Sequence, residues 1–191
     1  MSKKIIVFDL GGQYAHLIWR NFRDLECDVL LVKKDLQAKK VLEADAFVIS
    51  GGPSSVTKDS YGVCEMLLAQ AKAGTLGKPI LGICLGHQLI AHRFGGRVQR
   101  GASGEYGITK IIVHNEGALL KGMGSFFNAW ASHFDTVSKA PEGFSILASA
   151  EGCACEAMEN INLNVFSTQF HPEVWHTQNG VKIFQNFLNT F

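Results

Sequence analysis

The chain has 191 residues, 47% of them hydrophobic and 10% aromatic, which suits one domain of about the usual 150 residues or slightly more, with a sizeable core, and excludes a disordered, collagen-like or heptad-repeat polymer. Eighteen Lys and Arg against 17 Asp and Glu leave a formal charge of +1, and basic residues cluster only as pairs such as Lys33-Lys34 and Lys39-Lys40, which read as solvated faces, so nucleic acid is not expected as a main partner. No apolar stretch reaches the roughly 18 residues of a membrane span, and Cys27, Cys64, Cys84, Cys153 and Cys155 are odd in number and irregular in spacing, which predicts free thiols in a reducing, cytoplasmic setting.

Residues 4–10 read as a buried strand closing at Gly11-Gly12, and 14–25 as an amphipathic helix. A strand over 27–32, a short helix near Val41 and a third strand over 46–50, closed by Gly51-Gly52-Pro53, come next. A helix over 61–73, a fourth strand over 79–84 and a helix over 85–94 complete the first half. Strands alternating with helices predict an α/β fold: an open, mostly parallel twisted sheet with helices on both faces. After Gly95-Gly96 the texture changes to β-like runs at 108–113, 146–150 and 162–169, which predict an antiparallel extension of that sheet; Gly101, Gly104 and Gly107 read as turns. Phe184, Phe187, Leu188 and Phe191 stand at i, i+3, i+4 and i+7, so 180–191 is an amphipathic helix on the core. No linker or repeat interrupts the chain, and 1–191 is read as one domain.

Chemistry concentrates at Gly82-Ile83-Cys84-Leu85-Gly86, where a strand gives way to a helix. This is a nucleophile-elbow pattern with Cys as its centre: the sharp turn strains that residue's backbone, and the glycines leave room for it. The helix start favours thiolate over thiol, and the Leu85 N–H points where an oxyanion would form. A Cys nucleophile needs a base, and the base needs a carboxylate behind it. His171 and Glu173, in Gln169-Phe170-His171-Pro172-Glu173, supply both two residues apart; in an extended segment they would point the same way. The Ser50-Gly51-Gly52-Pro53-Ser54 loop also follows a strand, so it should border the same crevice and offer further backbone N–H donors.

Other candidates read more plainly. His87 on its helix is expected to face a neighbouring loop. Ser132, His133 and Asp135, beside Trp130 and Phe134, are expected in a loop that lines the pocket or meets a partner. Cys153-Ala154-Cys155 lacks a second ligand cluster and reads as packing.

These motifs in this order resemble the class I, triad-type glutamine amidotransferases over essentially the whole chain. Asp9-Leu10-Gly11-Gly12-Gln13-Tyr14, Gly104-Glu105-Tyr106-Gly107, Ser132-His133-Phe134-Asp135 and His171-Pro172-Glu173-Val174 with His176-Thr177 are similar to the glutaminase part of GMP synthases. Leu85 and Phe134 depart from that branch, where Tyr and Gly are common. The resemblance implies that Cys84 attacks the glutamine side-chain amide, with His171 as base and then acid and Glu173 orienting it. It further implies that Gly52 and Leu85 offer N–H groups to the oxyanion and that Gln88 helps hold glutamine. Ammonia would pass to an ATP-pyrophosphatase synthetase partner that aminates XMP to GMP; no Ser-Gly-Gly-x-Asp-Ser-type loop occurs here, so ATP and Mg²⁺ would belong to that partner. The ending at Phe191 predicts a separate glutaminase subunit rather than an excised domain. The rival readings are amidotransfer to another acceptor, free γ-glutamyl hydrolysis, and a silent regulatory subunit.

Overall fold

The computed structural model describes residues 2–33, 41, 43–57 and 59–191, with the backbone alone at 102 and 103. The short helix expected near Val41 falls almost wholly outside the described residues, as do Lys34, Lys39 and Lys40. Strands β1 (Lys4–Asp9), β2 (Asp28–Lys33), β3 (Ala46–Ile49), β4 (Ile80–Ile83), β5 (Arg97–Val113), β6 (Phe126–Lys139), β7 (Ser145–Ala150), β8 (Cys153–Asn160) and β9 (Val165–Thr168) form one sheet. Its order is β2-β1-β3-β4-β9-β8-β7-β5-β6. The first five in that order pair in parallel, and the rest are joined antiparallel.

β1 shows why the parallel half forms. Ile5, Ile6, Val7 and Phe8 are all buried, as a strand covered on both faces requires. Its alternate residues feed two cores. Ile5 and Val7 pack with Ile18 and Phe22 of α1 (Ala15–Asp24) and with Phe184 and Phe187 of the C-terminal helix. Ile6 and Phe8 pack with Leu67 and Leu68 of α2 (Val63–Lys72) and with Leu89 and Ile90 of α3 (Leu85–Phe94). The C-terminal helix, α4 (Gly180–Leu188), locks onto α1 through Phe22 and Phe184, whose ring centroids are 5.0 Å apart at 76°. Such edge-to-face pairs add about 0.5–1.5 kcal/mol beyond area burial. At the edge, β2 exposes Leu30 and Leu31 beside Asp28 and Lys33, and the charges blunt it.

The antiparallel half is larger than its sequence suggests. β5 and β6 form a long hairpin, where only 108–113 reads as a strand from the sequence. β6 alternates outward and buried residues from Phe126 to Ala131, but the outward Phe126 and Trp130 are apolar and hide that period. Gly101, Gly104 and Gly107 lie within β5 rather than in turns. Pairing is irregular there: Arg100 faces Asp135 while Glu105 faces His133, so β5 carries extra residues opposite β6. Ser132, His133 and Asp135 therefore sit on a strand, not in a loop.

Candidate active site

One residue, Cys84, joins β4 to α3. Its φ of 53° and ψ of −103° lie outside the regions open to most L-residues, the strain expected of a sharp elbow. The flanking glycines are required by contact. A Cβ on Gly82 would lie 2.5 Å from Ile90 Cδ1 and 2.6 Å from the Gly86 carbonyl oxygen, and one on Gly86 would run into the Ile49 carbonyl. The turn is anchored on both sides: the Cys84 N–H donates to the Thr168 carbonyl at 2.8 Å, and the Gln88 N–H donates to the Cys84 carbonyl at 3.1 Å. Leu85 opens α3, so its N–H has no acceptor within its own helix, and it stands at the positive end of the helix dipole. The Cys84 side chain, 6% exposed, has its Sγ 3.9 Å from the Ser132 carbonyl oxygen.

His171 reaches Cys84 from the end of β9. Its N–H donates to the Trp130 carbonyl at 2.9 Å, and its own carbonyl accepts from Thr177 Oγ1 at 2.6 Å. The segment is not an extended strand: the bridge to Trp130 is isolated, and the chain turns at once. That turn still brings Glu173 Oε1 to 2.7 Å from His171 Nδ1, with both side chains buried. Burial opposes an imidazolium here, but the Glu173 carboxylate and the hydrogen bond with Cys84 outweigh it and raise the His171 pKa well above its ordinary value. The edge of Tyr14 closes on the imidazole, with ring centroids 5.0 Å apart at 77°.

Two glycine loops complete the wall. Ser50 Oγ accepts from the Leu10 N–H at 3.0 Å and donates to the Gly51 carbonyl at 2.9 Å, tying the β1 and β3 loops together. A Cβ on Gly51 would stand 3.1 Å from His171 Cε1 and 3.5 Å from Cys84 Cβ, and one on Gly52 would stand 2.5 Å from the Leu10 carbonyl oxygen. Glycine at both positions therefore lets this loop pack closely against Leu10, Cys84 and His171. A cleft of about 280 Å³ holds Gly11, Gly52, Tyr14, Cys84, His171 and Glu173. A second, of about 220 Å³, adjoins it at Cys84 and holds Gln88, Tyr106 and residues 132–135. Gln88 Nε2 donates to the Asp135 carbonyl at 2.7 Å and to Gln169 Oε1 at 3.2 Å, so its amide nitrogen is already engaged in shaping this wall.

The fold thus gathers Cys84, His171, Glu173, Gly52, Leu85 and Gln88 around one crevice. His87 is elsewhere. It points into the sheet rather than toward a loop, hydrogen-bonded to Ser167 Oγ at 2.9 Å and the Cys155 carbonyl at 3.1 Å, and burial lowers its pKa to about 3. Cys153 and Cys155 are buried in β8, and burial raises the Cys155 thiol to about 12; such thiols are inert. The carbonyls of Ser132 and Asp135 are contributions that residue chemistry does not announce, because a backbone carbonyl carries no sequence signature.

The glutamine amidotransferase class-I family model matches residues 6–191. A glutamine-hydrolysing GMP synthase subunit from Saccharolobus solfataricus is 41% identical over 180 residues, covering 93% of each chain. The Archaeoglobus fulgidus protein of the same name is 41% identical over 185 residues, covering 97% of each. The crystal structure of a proposed GMP synthase subunit from Thermoplasma acidophilum superimposes with a TM-score of 0.88 at 34% identity, covering 100% of this chain and 94% of that one. A glutamine amidotransferase from Thermotoga maritima shares the fold, with a TM-score of 0.76 at 18% identity over 99% of this chain and 82% of that one.

Proposed function

The chain belongs to the class I glutamine amidotransferases, and from that premise we propose that it is the glutamine-hydrolysing subunit of a two-subunit GMP synthase. The observation that carries the reading is the strained Cys84 elbow standing beside a buried His171–Glu173 pair. Cys84, as thiolate, attacks the side-chain amide carbon of glutamine, and the carbonyl oxygen takes up the negative charge. The N–H groups of Gly52 and Leu85 stabilise that oxyanion, and the helix dipole of α3 adds to them. His171, kept protonated by Glu173, gives its proton to the departing ammonia; it then removes a proton from the water that hydrolyses the γ-glutamyl thioester, releasing glutamate and restoring Cys84. Glu173 fixes the imidazole tautomer throughout.

The cleft holding Gln88 and Asp135 takes the glutamine, with the Asp135 carbonyl placed by Gln88. Ammonia then passes to an ATP-pyrophosphatase partner that aminates XMP, and ATP and Mg²⁺ act there rather than on this chain. The names of the relatives, and their agreement with this chain over nearly its whole length, support that assignment. Among the described residues no helix is long and apolar enough to cross a membrane, and all five cysteines are free; we place the enzyme in the cytoplasm. The deciding experiment measures glutamate release by the chain with and without an XMP-using ATP-pyrophosphatase partner supplied with ATP and Mg²⁺. Stimulation coupled to GMP formation is expected. Glutamate release that never responds to such a partner would remove GMP synthesis as the pathway.

A further inference from the structure

Behind the glutamine wall, three ionisable side chains from three strands meet in the interior. Glu105 of β5 stands directly across from His133 of β6, with Glu105 Oε2 3.0 Å from His133 Nε2. Glu156 of β8 is fully buried, with its Oε1 3.9 Å from the same nitrogen. Glu105 Oε2, both Glu156 oxygens and both His133 nitrogens meet no partner in regular hydrogen-bond geometry. Buried charges are costly unless paired with one another, and the reaction scheme uses none of the three.

Their placement shows what they hold. On β6, His133 is buried at the back of the cleft, which Ser132 and Phe134 on either side also line. The Ser132 carbonyl lies against Cys84 Sγ, and the Asp135 carbonyl accepts from Gln88. Regular β5–β6 pairing is interrupted just here, between the Arg100–Asp135 and Glu105–His133 pairs, so Phe134 has no partner in the register and the wall needs support from side chains as well as from the ladder on either side of it. Glu105 is steadied in turn by the Gly152 N–H of the β7–β8 turn. Glu156 borders the Phe170 N–H, one residue before His171, and its backbone carbonyl accepts from Gln169 at 2.7 Å.

We infer that Glu105, His133 and Glu156 form a buried, proton-bridged clasp that positions the Ser132–Asp135 wall for glutamine, so that substrate affinity rather than the chemical step depends on it. The inference rests on the reading of this cleft as the glutamine pocket. A proton fits the clasp. Glu105 Oε2 and His133 Nε2 stand 3.0 Å apart, near enough to share a proton, though they are not aligned as a regular hydrogen bond. Burial, followed by the neighbouring Glu105, raises the Glu156 pKa, while His133 lowers that of Glu105, so the two carboxyls are pushed in opposite directions. The other ionisable groups facing the clasp, Cys153 of β8 and His87 of α3, are held neutral by burial. The three residues position the pocket without touching the reacting atoms.

The test follows inactivation of Cys84 in the full chain by two electrophiles, a glutamine-like chloroketone that must occupy the pocket and iodoacetamide, which need not. His133→Asn removes the Nε2 contact, whereas His133→Gln places an amide nitrogen near the lost Nε2. For His133→Asn the chloroketone concentration giving half-maximal rate should rise about tenfold or more, a positioning loss, with the limiting rate and the iodoacetamide rate within threefold of wild type. His133→Gln should recover most of the affinity. Glu105→Gln, nearer the surface, gives the same readout if His133→Asn does not fold. Unchanged half-saturation in folded variants, or a parallel fall in both electrophile rates, overturns the positioning role. Loss of chloroketone affinity on chelator treatment of wild type, restored by Zn²⁺, would replace the proton with a cation and overturn the clasp as stated. Wild type that fails to saturate with the chloroketone contradicts the glutamine pocket itself, separately from the clasp.

Discussion

Gly52→Ala tests the oxyanion donor proposed at this position. An added Cβ would lie 2.5 Å from the Leu10 carbonyl oxygen and 2.9 Å from Leu85 Cδ2. A relaxed C···O contact is about 3.3 Å, so one side must retreat by about 0.8 Å. Leu10 resists, because its N–H is tied to Ser50 Oγ at 3.0 Å, and the Gly52 peptide therefore moves. A shift of that size carries its N–H out of line with the forming oxyanion, and loss of one such donor lowers kcat by about 10²- to 10³-fold, or about 2.7–4 kcal/mol. The donor acts on charge that exists only in the transition state, so KM should change little. Steady-state glutamate release supplies both constants, and the iodoacetamide rate checks that Cys84 keeps its own reactivity. A folded Gly52→Ala variant with kcat within threefold of wild type would refute the assignment of this N–H.

Glu173→Gln removes the group that raises His171, so turnover should fall by about 10²- to 10⁴-fold. In the proposed scheme activity depends on a protonated His171 and is lost as pH rises through its raised pKa; the variant's alkaline fall should therefore come at lower pH, and an unmoved limb in the pH–rate profile would contradict the role. His87 is neutral in the fold, with a pKa lowered to about 3, and titrates near 6.5 when unfolded. Its contribution is fully present above pH 6.5 and is lost as pH falls toward 3, which removes about 2 kcal/mol by pH 5; denaturant melts of His87→Gln should lack that part of the acid dependence. Trp175 is 85% exposed two residues beyond Glu173, so Trp175→Ala should leave iodoacetamide labelling of Cys84 unchanged and weaken stimulation by the synthetase partner; undiminished stimulation would place docking elsewhere.

Legibility in the sequence followed the physics of each element. The inner parallel strands β1, β3 and β4 are apolar runs because helices cover both faces, and such runs stand out; α3 begins and ends where its periodicity predicts, at Leu85 and Phe94. The Cys84 and His171–Glu173 motifs are legible because glycine spacing and local chemistry reveal them one segment at a time. β6 and β8 are hidden for opposite reasons. β6 carries apolar Phe126, Trp130 and Phe134 on its outward side and polar His133 and Thr136 among its buried residues, which blurs the period, while β8, Cys-Ala-Cys-Glu-Ala-Met-Glu-Asn, is buried almost throughout yet built from small and acidic residues. Glu156 illustrates the limit: a glutamate in the interior looks in sequence like a glutamate on the surface, and only the approach of His133 and Glu105 from two other strands makes it a buried group.

The position of the crevice explains why a single sheet serves both steps. Cys84 ends a parallel strand, and its sulfur must stand above the strands' C-terminal edge for a helix start to face it. β9 is the last parallel strand and also the first partner of the antiparallel half through β8, so His171, just beyond it, is the natural base for an elbow one strand away. The same seam lets β6 pass close enough to place the Ser132 and Asp135 carbonyls beside Cys84 and Gln88. The nucleophile belongs to one half and the substrate wall to the other. Disturbing the β5–β6 hairpin should therefore weaken glutamine capture before it blunts the thiol, whereas disturbing the β4–α3 elbow should do the reverse.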